Sequence, residues 1–208
     1  MPTEKIKNKG QGRLFKNDVL EVMTKTHPVV IYSIYLPTIG FLLYYSVAYA
    51  HQSYGRIALL FLAGLLGWSF FEYLIHRYLF HFVAHSDNAK RISYTMHGIH
   101  HEFPRDRERL FMPPIPSVIL ACVLFAIFKL AMGAQVFAFF PGFILGYLMY
   151  GTMHYAIHAF APPRFMKALW RNHHLHHYKY PDKGFGVSSV LWDVIFRTVP
   201  KKEEVPNS

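Results

Sequence analysis

Four membrane-length apolar runs constrain the fold of this chain more than any other sequence feature. The runs are Val29–Ala50, Ile57–Ile75, Ile115–Met132 and Val136–Tyr155. A helix needs about 20 apolar residues to cross the hydrocarbon core of a bilayer. The sequence therefore predicts four transmembrane helices. The third run is short and follows Pro113 and Pro114, so its alternative interpretation is a helix buried inside the protein.

The distribution of Lys and Arg predicts the orientation of these helices. Basic residues concentrate before the first run, between the second and third runs, and after the fourth. The loop after the first run has only Arg56, and the turn after the third has none beyond Lys129. Because cytosolic segments carry an excess of Lys and Arg, both termini and the middle loop are predicted to be cytosolic.

The net charge of +10 is split among three segments that flank apolar runs. This pattern indicates membrane orientation and attraction to anionic lipid head groups. It argues against nucleic-acid binding, which is typical of a basic patch on one face. The length of 208 residues suits one folded domain over 28–200, after a basic cytosolic segment 1–27 and before a tail 201–208. A lone cysteine, Cys122, excludes an internal disulfide.

Ten of the fourteen histidines fall into four spaced clusters at the predicted cytosolic side. These histidines are His76, His81, His97, His100, His101, His154, His158, His173, His176 and His177. Spacings of three and four residues place side chains on one helix face. His76 and His81 are five apart, about 140° around an ideal helix. They reach one cluster only if it lies between helices or if the helix is distorted there.

Imidazole is a ligand that iron, zinc and copper accept. Ten imidazoles without partners are costly near a low-dielectric region, so the set predicts a metal site. Ten ligands suit two ions with about five each. Zinc has no redox chemistry and does not need ten histidines. His27, His51 and His85 match no spacing, and His174 fills a variable position, so these four are left out.

Few carboxylates lie beside the histidine clusters. Glu72 precedes His76 by four residues, Glu102 follows His101, and Asp193 lies further along the chain. A carboxylate that accepts from a ligand imidazole orients the ring, so these residues are candidates for that role. An isolated carboxylate near the end of a span, such as Glu72, is expensive without a partner.

At these residues the chain resembles the membrane fatty acid hydroxylase superfamily, and within it the fatty acid 2-hydroxylases. The resemblance extends from about Trp68 to Pro200. Its motifs are Phe71-Glu72-Tyr73 with His76 to His81; His97 to His101 with Pro104, Asp106, Arg109-Leu110 and Pro113-Pro114; Tyr150 with His154-Tyr155 and His158; and His173 to His177 with Gly184 to Val187 and Leu191-Trp192-Asp193. The histidine motifs define the superfamily, and the Arg-Leu…Pro-Pro and Gly-Phe-Gly…Leu-Trp-Asp segments are similar to those of the 2-hydroxylases.

The resemblance implies an all-α membrane protein whose four transmembrane helices lie under a cytosolic helical cap. It implies two iron ions held by the ten histidines, with zinc as the ion that a purified protein also accepts. The implied reaction is O₂-dependent hydroxylation at C2 of a long acyl chain, free or within a ceramide. Tyr155 joins Glu72 and Asp193 as a candidate to orient ligands. Arg105, Arg107 and Arg109 are candidates for the lipid head group, with membrane-surface anchoring as their alternative.

Two departures from the family pattern affect these expectations. Eukaryotic members often carry a fused cytochrome b5 domain, which this chain lacks, so the expected electron donor is a separate protein, cytochrome b5-like or ferredoxin-like. Gly151 stands where an acidic residue is expected after Tyr150.

Three other functions stay open at this point. One is a related membrane oxidase or desaturase that acts on a sterol, a carotenoid or another lipid. The second is a structural zinc protein without catalysis. The third, a metal transporter or sensor, is disfavoured because transport sites lie near the bilayer midplane, where these spans lack histidine and carboxylate. The sequence leaves the acyl carrier, the chain length and the oligomeric state open.

Overall fold

The computed structural model describes residues 6–200 as helices joined by short loops, with no strand in that range. The all-helical prediction is confirmed. The α helices are α1 Asp18–Val22, α2 Pro28–Ala48, α3 Tyr54–Leu74, α4 Asp87–Ser93, α5 Ile99–Glu102, α6 Pro114–Met132, α7 Val136–Ala159, α8 Lys167–Tyr178 and α9 Leu191–Ile195. There are also two π helices in this range. Ile75–Phe80 contains His76 and ends just before His81, and Tyr94–Gly98 contains His97. The predicted tail 201–208 lies outside the described residues.

The described residues divide into two compact units. We call residues 18–69 and 108–152 the apolar unit, and residues 6–17, 70–107 and 153–200 the histidine unit. The apolar unit contains α1, α2, α6 and the larger parts of α3 and α7. The histidine unit contains the remaining helices. The predicted boundaries 1–27, 28–200 and 201–208 follow the chain rather than these units and stay a prediction.

Three helical segments are long and apolar enough to cross a membrane, by length and composition, within residues 6–200. They are Pro28–Ala48, Tyr54–Phe80 and Arg107–Ala159. The third has 53 residues and contains α6 and α7, of 19 and 24 residues, on either side of a 3₁₀ turn at Gly133–Gln135. The length of each of these two helices is close to what a bilayer requires, which is about 20 residues. The count of four spans stays a prediction.

The exposure of α6 decides between a transmembrane helix and a helix buried inside the protein, the two interpretations of its proline-rich start. Pro113 caps the helix and Pro114 is its first residue, where the missing N–H costs nothing. Its apolar side chains face outward: Leu130 is 89% exposed and Ile119 is 59% exposed, whereas Ser117 is buried. This exposure argues against a helix buried inside the protein and fits contact with lipid.

The backbones of α3 and α7 approach closely at glycines. A Cβ atom on Gly64 would lie 2.0 Å from the Phe139 carbonyl oxygen, and one on Gly142 would lie 1.9 Å from the Phe61 carbonyl oxygen. Small residues at crossings let membrane helices pack backbone to backbone, where apolar burial alone gives little driving force. The glycines therefore set the packing of these two helices.

An internal ion pair joins α1 to the 3₁₀ turn Arg107–Arg109. The Arg109 guanidinium donates to the Glu21 carboxylate and to Thr24 Oγ1, and both charged side chains are buried. Thr26 N also donates to the Glu108 carbonyl oxygen at 2.9 Å. A buried charge is stable only with such a partner, so the pair ties this part of the apolar unit together.

Candidate metal centre

The ten predicted ligands lie in two groups of five in the histidine unit. Group one is His76, His81, His97, His101 and His176, and group two is His100, His154, His158, His173 and His177. Within each group one ring nitrogen per residue lies within 4.8 Å of all the others. The groups adjoin, because the rings of His101 and His177 stack at a centroid distance of 4.2 Å. These clusters could each hold a metal ion.

The two groups draw on the same helices in a reciprocal way. In the first three-histidine motif, the outer pair His97 and His101 joins group one and His100 joins group two. In α8 the outer pair His173 and His177 joins group two and His176 joins group one. Each group is completed by one further pair: His76 and His81, in and just after the π helix that follows α3, or His154 and His158, near the end of α7. Neighbouring residues on one helix therefore serve different groups.

A π helix brings His76 and His81 together. Residues five apart point in different directions in an α helix, but Ile75–Phe80 forms a π helix with its wider i→i+5 turn. The ring centroids of His76 and His81 are 5.1 Å apart. The distortion that the five-residue spacing required is therefore present. Such π segments are rare and occur often at functional sites.

The separations between ring nitrogens fit ligands of a common ion. In group one, His97 Nε2 lies 3.1 Å from His76 Nε2 and 3.0 Å from His101 Nε2. In group two, His154 Nε2 lies 2.8 Å from His100 Nε2, and His158 Nε2 lies 2.9 Å from His173 Nε2. A metal–nitrogen bond of about 2.1 Å places two ligands at right angles roughly 3 Å apart.

Several buried ring nitrogens in the centre have no hydrogen-bond partner among the described residues. They are Nε2 of His81 and of His176, Nδ1 of His100 and of His173, and both ring nitrogens of His177. A buried polar atom without a partner costs about 1–3 kcal/mol. A cation within each group would satisfy the nitrogens that face it. The residues therefore fit a pair of metal ions.

The environment keeps these imidazoles in the neutral form that binds metal. Burial, with a smaller effect from neighbouring histidines, holds the pKa of His101 at about 3. Burial followed by the charges of His101 and His100 lowers the pKa of His177 well below the ordinary value. The same direction and leading cause apply to His97, His173 and His176. Neutral imidazole is the ligand state, so metal binding needs no proton release here.

Acidification is expected to destabilise the metal-free protein. Burial sets the pKa of His81 at about 2 and of His101 at about 3, below the ordinary 6.5. Below about pH 6.5 the histidines of the unfolded chain bind protons, whereas the buried histidines of the folded chain stay neutral. The free energy of unfolding is therefore highest above that pH and decreases as the pH falls. Thermal unfolding of chelator-treated protein, scanned from about pH 8 to about pH 5, measures this. A Tm that stays level between pH 7 and pH 5 would contradict a neutral cluster.

Two backbone carbonyls select the ring nitrogen that two predicted ligands of group one present to the cluster. His76 Nδ1 lies 2.6 Å from the Phe185 carbonyl oxygen, and His176 Nδ1 lies 2.8 Å from the Lys183 carbonyl oxygen. A carbonyl only accepts, so each Nδ1 carries the proton and each Nε2 has its lone pair free. Sequence reasoning missed these two partners, because backbone carbonyls have no residue-type signature.

The four candidates for orienting ligands lie at different places. Glu102 accepts from Lys7 Nζ and Tyr94 Oη. Glu72 accepts from Val187 N and Ser188 N, both at 2.8 Å, and Asp193 accepts from Phe185 N at 2.9 Å and Gly186 N at 2.8 Å. Both carboxylates thus contact the loop whose carbonyls meet His76 and His176, rather than the rings. Tyr155 packs against Phe160 at a centroid distance of 6.2 Å. Its ligand-orienting role stays a prediction.

The arginine candidates for a lipid head group differ in environment. Arg109 is buried in its pair with Glu21, so its charge is already neutralised within the apolar unit. Arg105 and Arg107 are exposed. Arg105 lies near enough to His174 that, after burial, its charge lowers the pKa of that ring. The head-group prediction therefore depends on Arg105 rather than on Arg109.

Two other positions that the sequence singled out now have a structural account. A Cβ atom on Gly151 would lie 2.1 Å from Cε1 of Phe111, so this aromatic ring occupies the space of a larger side chain. His27, which matched no ligand spacing, is the N-cap of α2, and its Nδ1 accepts from Val29 N at 3.3 Å. His174 lies in neither histidine group.

The N-terminal segment has a role that its composition did not indicate. Lys7 N donates to the Glu102 carbonyl oxygen at 2.7 Å, beside the ligand His101. Gly12 lies against Ile99, where an added Cβ would be 2.6 Å from the isoleucine side chain. Tyr178 Oη donates to Asn8 Oδ1 at 2.7 Å, beside the ligand His177. Residues 6–12 therefore brace two helices that carry predicted ligands.

This centre and its helical setting define a membrane hydroxylase class, and the chain belongs to the fatty acid hydroxylase family, whose model matches residues 61–198. The matched range contains all ten histidines. The dihydroceramide fatty acyl 2-hydroxylase of Arabidopsis thaliana is 36% identical over 197 residues, which cover 94% of this chain and 83% of that relative. The ceramide very long chain fatty acid hydroxylase of Saccharomyces cerevisiae is 37% identical over 194 residues, or 91% of this chain and 50% of the relative.

A solved structure gives the same fold. The structure of full-length Scs7p, in which only the hydroxylase domain is visible, superposes with a TM-score of 0.86 at 35% identity and covers 96% of this chain and 76% of that chain. The predicted family resemblance is confirmed, and the chain is an oxidoreductase of the membrane hydroxylase type.

Proposed function

We propose that this chain inserts a hydroxyl group at C2 of a long acyl chain, either as the free fatty acid or within a ceramide, in an O₂-dependent reaction. The observation that carries the proposal is the pair of adjacent five-histidine groups in a chain of the fatty acid hydroxylase family. The similar relatives are named as 2-hydroxylases of dihydroceramide or as ceramide hydroxylases. The alternative substrates, a sterol or a carotenoid, have no such support.

Two iron ions are the proposed cofactors, one for each histidine group. When bound, the ions supply the redox chemistry toward O₂ that amino-acid side chains lack. Group one would hold one ion through His76, His81, His97, His101 and His176, and group two the other through His100, His154, His158, His173 and His177. Zinc accepts the same nitrogen donors and is the ion expected to replace iron in purified protein.

The protein's own contribution is a dry, fixed set of donors. His173 and His176 have no exposed surface. Phe80 stacks on His97 at a centroid distance of 4.9 Å, and the Phe185 ring lies within 6 Å of the rings of His76, His81 and His176. These aromatic rings exclude water from group one. Exclusion of water prevents side reactions of a strong oxidant and keeps the donors in place.

The proposed topology places the termini and the histidines on the cytosolic side of the membrane. Its support is the excess of Lys and Arg in the three segments that flank the apolar runs. C2 adjoins the polar head of the lipid, so it lies near the interface, where histidines at the ends of the spans would meet it. Exposed Arg105 is the proposed contact for an anionic head group. The electron donor is proposed to be a separate protein, cytochrome b5-like or ferredoxin-like.

The proposal is tested with purified protein in lipid nanodiscs supplied with ferrous iron, a reductant or donor protein, and ¹⁸O₂. Long-chain fatty acid and ceramide are offered in separate reactions, beside a sterol and a carotenoid. Mass spectrometry is expected to find one ¹⁸O atom at C2 of the acyl chain. An argon-purged reaction with the same components is the control. The proposal is contradicted if iron-loaded protein labels the sterol or the carotenoid. It is also contradicted if no substrate is labelled.

A further inference from the structure

The loop Lys183–Ser188, between α8 and α9, contacts two buried carboxylates through four consecutive backbone amides. Phe185 N and Gly186 N donate to Asp193, and Val187 N and Ser188 N donate to Glu72, all at 2.8–2.9 Å. Glu72 is 4% exposed and Asp193 has no exposed surface. We call this segment the amide loop. Each carboxylate accepts two of these amide hydrogen bonds, so the two side chains together hold four consecutive amides of the loop.

The opposite polar groups of the amide loop face the metal centre. The Phe185 carbonyl accepts from His76 Nδ1 and the Lys183 carbonyl accepts from His176 Nδ1. Both histidines belong to group one. A peptide unit is rigid and planar, so the bond from Gly186 N to Asp193 also fixes the Phe185 carbonyl. The Lys183 carbonyl shares its peptide unit with Gly184 N, which donates to the Thr198 carbonyl oxygen at 2.8 Å, and Thr198 Oγ1 in turn donates to Asp193 at 2.7 Å. Asp193 thereby orients two ligand rings without touching either ring, and Glu72 holds the next two amides of the same loop.

At its start the amide loop has two backbone bonds, from Lys183 N to the Tyr180 carbonyl oxygen and from Gly184 N to the Thr198 carbonyl oxygen, and its other four amides bond to the two carboxylates. Gly184 has a φ of +72°, a conformation that favours glycine. A Cβ atom on Gly186 would lie 2.0 Å from the Ser189 carbonyl oxygen and 2.8 Å from Asp193 Oδ2. Two glycines in so short a segment would leave it flexible without partners. Further bonds brace the carboxylates themselves, from Ser188 Oγ to Glu72 and from Thr198 Oγ1 to Asp193.

Two ligands of group two differ from His76 and His176 in this respect. Nδ1 of His100 and Nδ1 of His173 are buried without a hydrogen-bond partner among the described residues. The two groups therefore have the same number of ligands but different support. Outer partners of this kind are worth roughly 10- to 100-fold in metal affinity.

We propose that Glu72 and Asp193 are positioning residues for group one alone: through the amide loop they hold His76 and His176 so that Nε2 of each faces the ion. This inference rests on the proposed function, because it assumes an ion in each group. It makes the two metal positions unequal. The ion in group one depends on the carboxylates, and the ion in group two does not.

The test counts metal in the variants Glu72→Gln and Asp193→Asn, which keep the side-chain shape but replace one acceptor oxygen with an NH₂ donor. Wild-type and variant proteins are loaded with ferrous iron, dialysed against increasing chelator, and measured by inductively coupled plasma mass spectrometry. We expect wild-type protein to retain two ions per chain over a range of chelator in which each variant retains one. The affinity for the ion that is lost should fall about 10- to 100-fold.

Second substitutions assign the loss to one group. In a His81→Ala background, which already weakens group one, Glu72→Gln should remove no further ion. In a His158→Ala background, which weakens group two, it should remove the remaining ion. Ser188→Ala removes one hydroxyl contact to Glu72 and should give a smaller loss of the same kind. Tyr35→Phe is the matched control, because it removes a buried hydrogen bond to Ser117 Oγ in the apolar unit.

Three results would overturn the inference. They are retention of two ions by both carboxylate variants at the chelator concentrations of the wild type, loss of both ions in parallel, and an equal loss in Tyr35→Phe. The inference and the proposed function fail separately. Wild-type protein that holds two ions but forms no 2-hydroxy lipid refutes the function, and the metal count still decides the role of Glu72 and Asp193.

Discussion

Replacing His176 with alanine is expected to abolish lipid hydroxylation. His176 has no exposed surface and belongs to group one, and its ring centroid lies 4.6 Å from those of His76 and His81. Alanine removes one of five nitrogen donors and leaves a void beside the others. Because loss of a mere outer partner costs roughly 10- to 100-fold, loss of a ligand should reduce activity by more than about 100-fold. Product formation per folded chain, measured by mass spectrometry, gives the effect.

His174→Ala is the matched control for this substitution. His174 lies two residues away on the same helix, in neither histidine group, and its ring is half-buried near Tyr178. It should keep wild-type activity and both ions. Activity of His176→Ala within tenfold of the wild type would contradict the ligand assignment. Equal losses in the two variants would point instead to general damage to α8.

The second large effect is expected on stability, from Gly142→Ala. An added methyl group would lie 1.9 Å from the Phe61 carbonyl oxygen and 2.7 Å from its carbonyl carbon. Both atoms belong to the backbone of α3, so neither can turn away, and the two helices must separate. Overpacking of this kind costs about 1–3 kcal/mol or more. Thermal unfolding in detergent micelles should show a clearly lower Tm.

Gly40→Ala provides the comparison, since Gly40 lies in the interior of α2 with nothing within 4 Å of an added Cβ atom. Alanine is favoured over glycine inside a helix by about 0.5–1 kcal/mol, so this variant should be unchanged or slightly more stable. A Tm for Gly142→Ala equal to that of Gly40→Ala would show that the α3–α7 contact is looser than the structure indicates.

Much of the candidate site could be predicted because its histidines share one chemistry and a helical spacing. The pairs His97 and His101, and His173 and His177, are four residues apart, and a helix places such pairs on one face. The structure keeps each pair in one group. The apolar runs likewise predicted helices close to α2, α3, α6 and α7, since length and hydropathy are local properties of the chain.

The assignment of each ligand to a group could not be predicted, because it depends on how separate helices face one another. His100 and His101 are adjacent in sequence yet belong to different groups. The five-residue spacing of His76 and His81 required either a distorted helix or a site between helices, and only the structure shows that the segment is a π helix. The role of the amide loop could not be predicted either, because its contacts to Glu72 and Asp193 use backbone atoms that every residue has.

The reciprocal sharing of ligands has a consequence for biosynthesis. Group one needs His176 and group two needs His173 and His177, so neither donor set exists until α8 has left the ribosome. By then α2, α3, α6 and α7 precede it in the nascent chain. Metal loading of either group must therefore follow the synthesis of these four helices, and a chain truncated before residue 173 offers no complete five-histidine group.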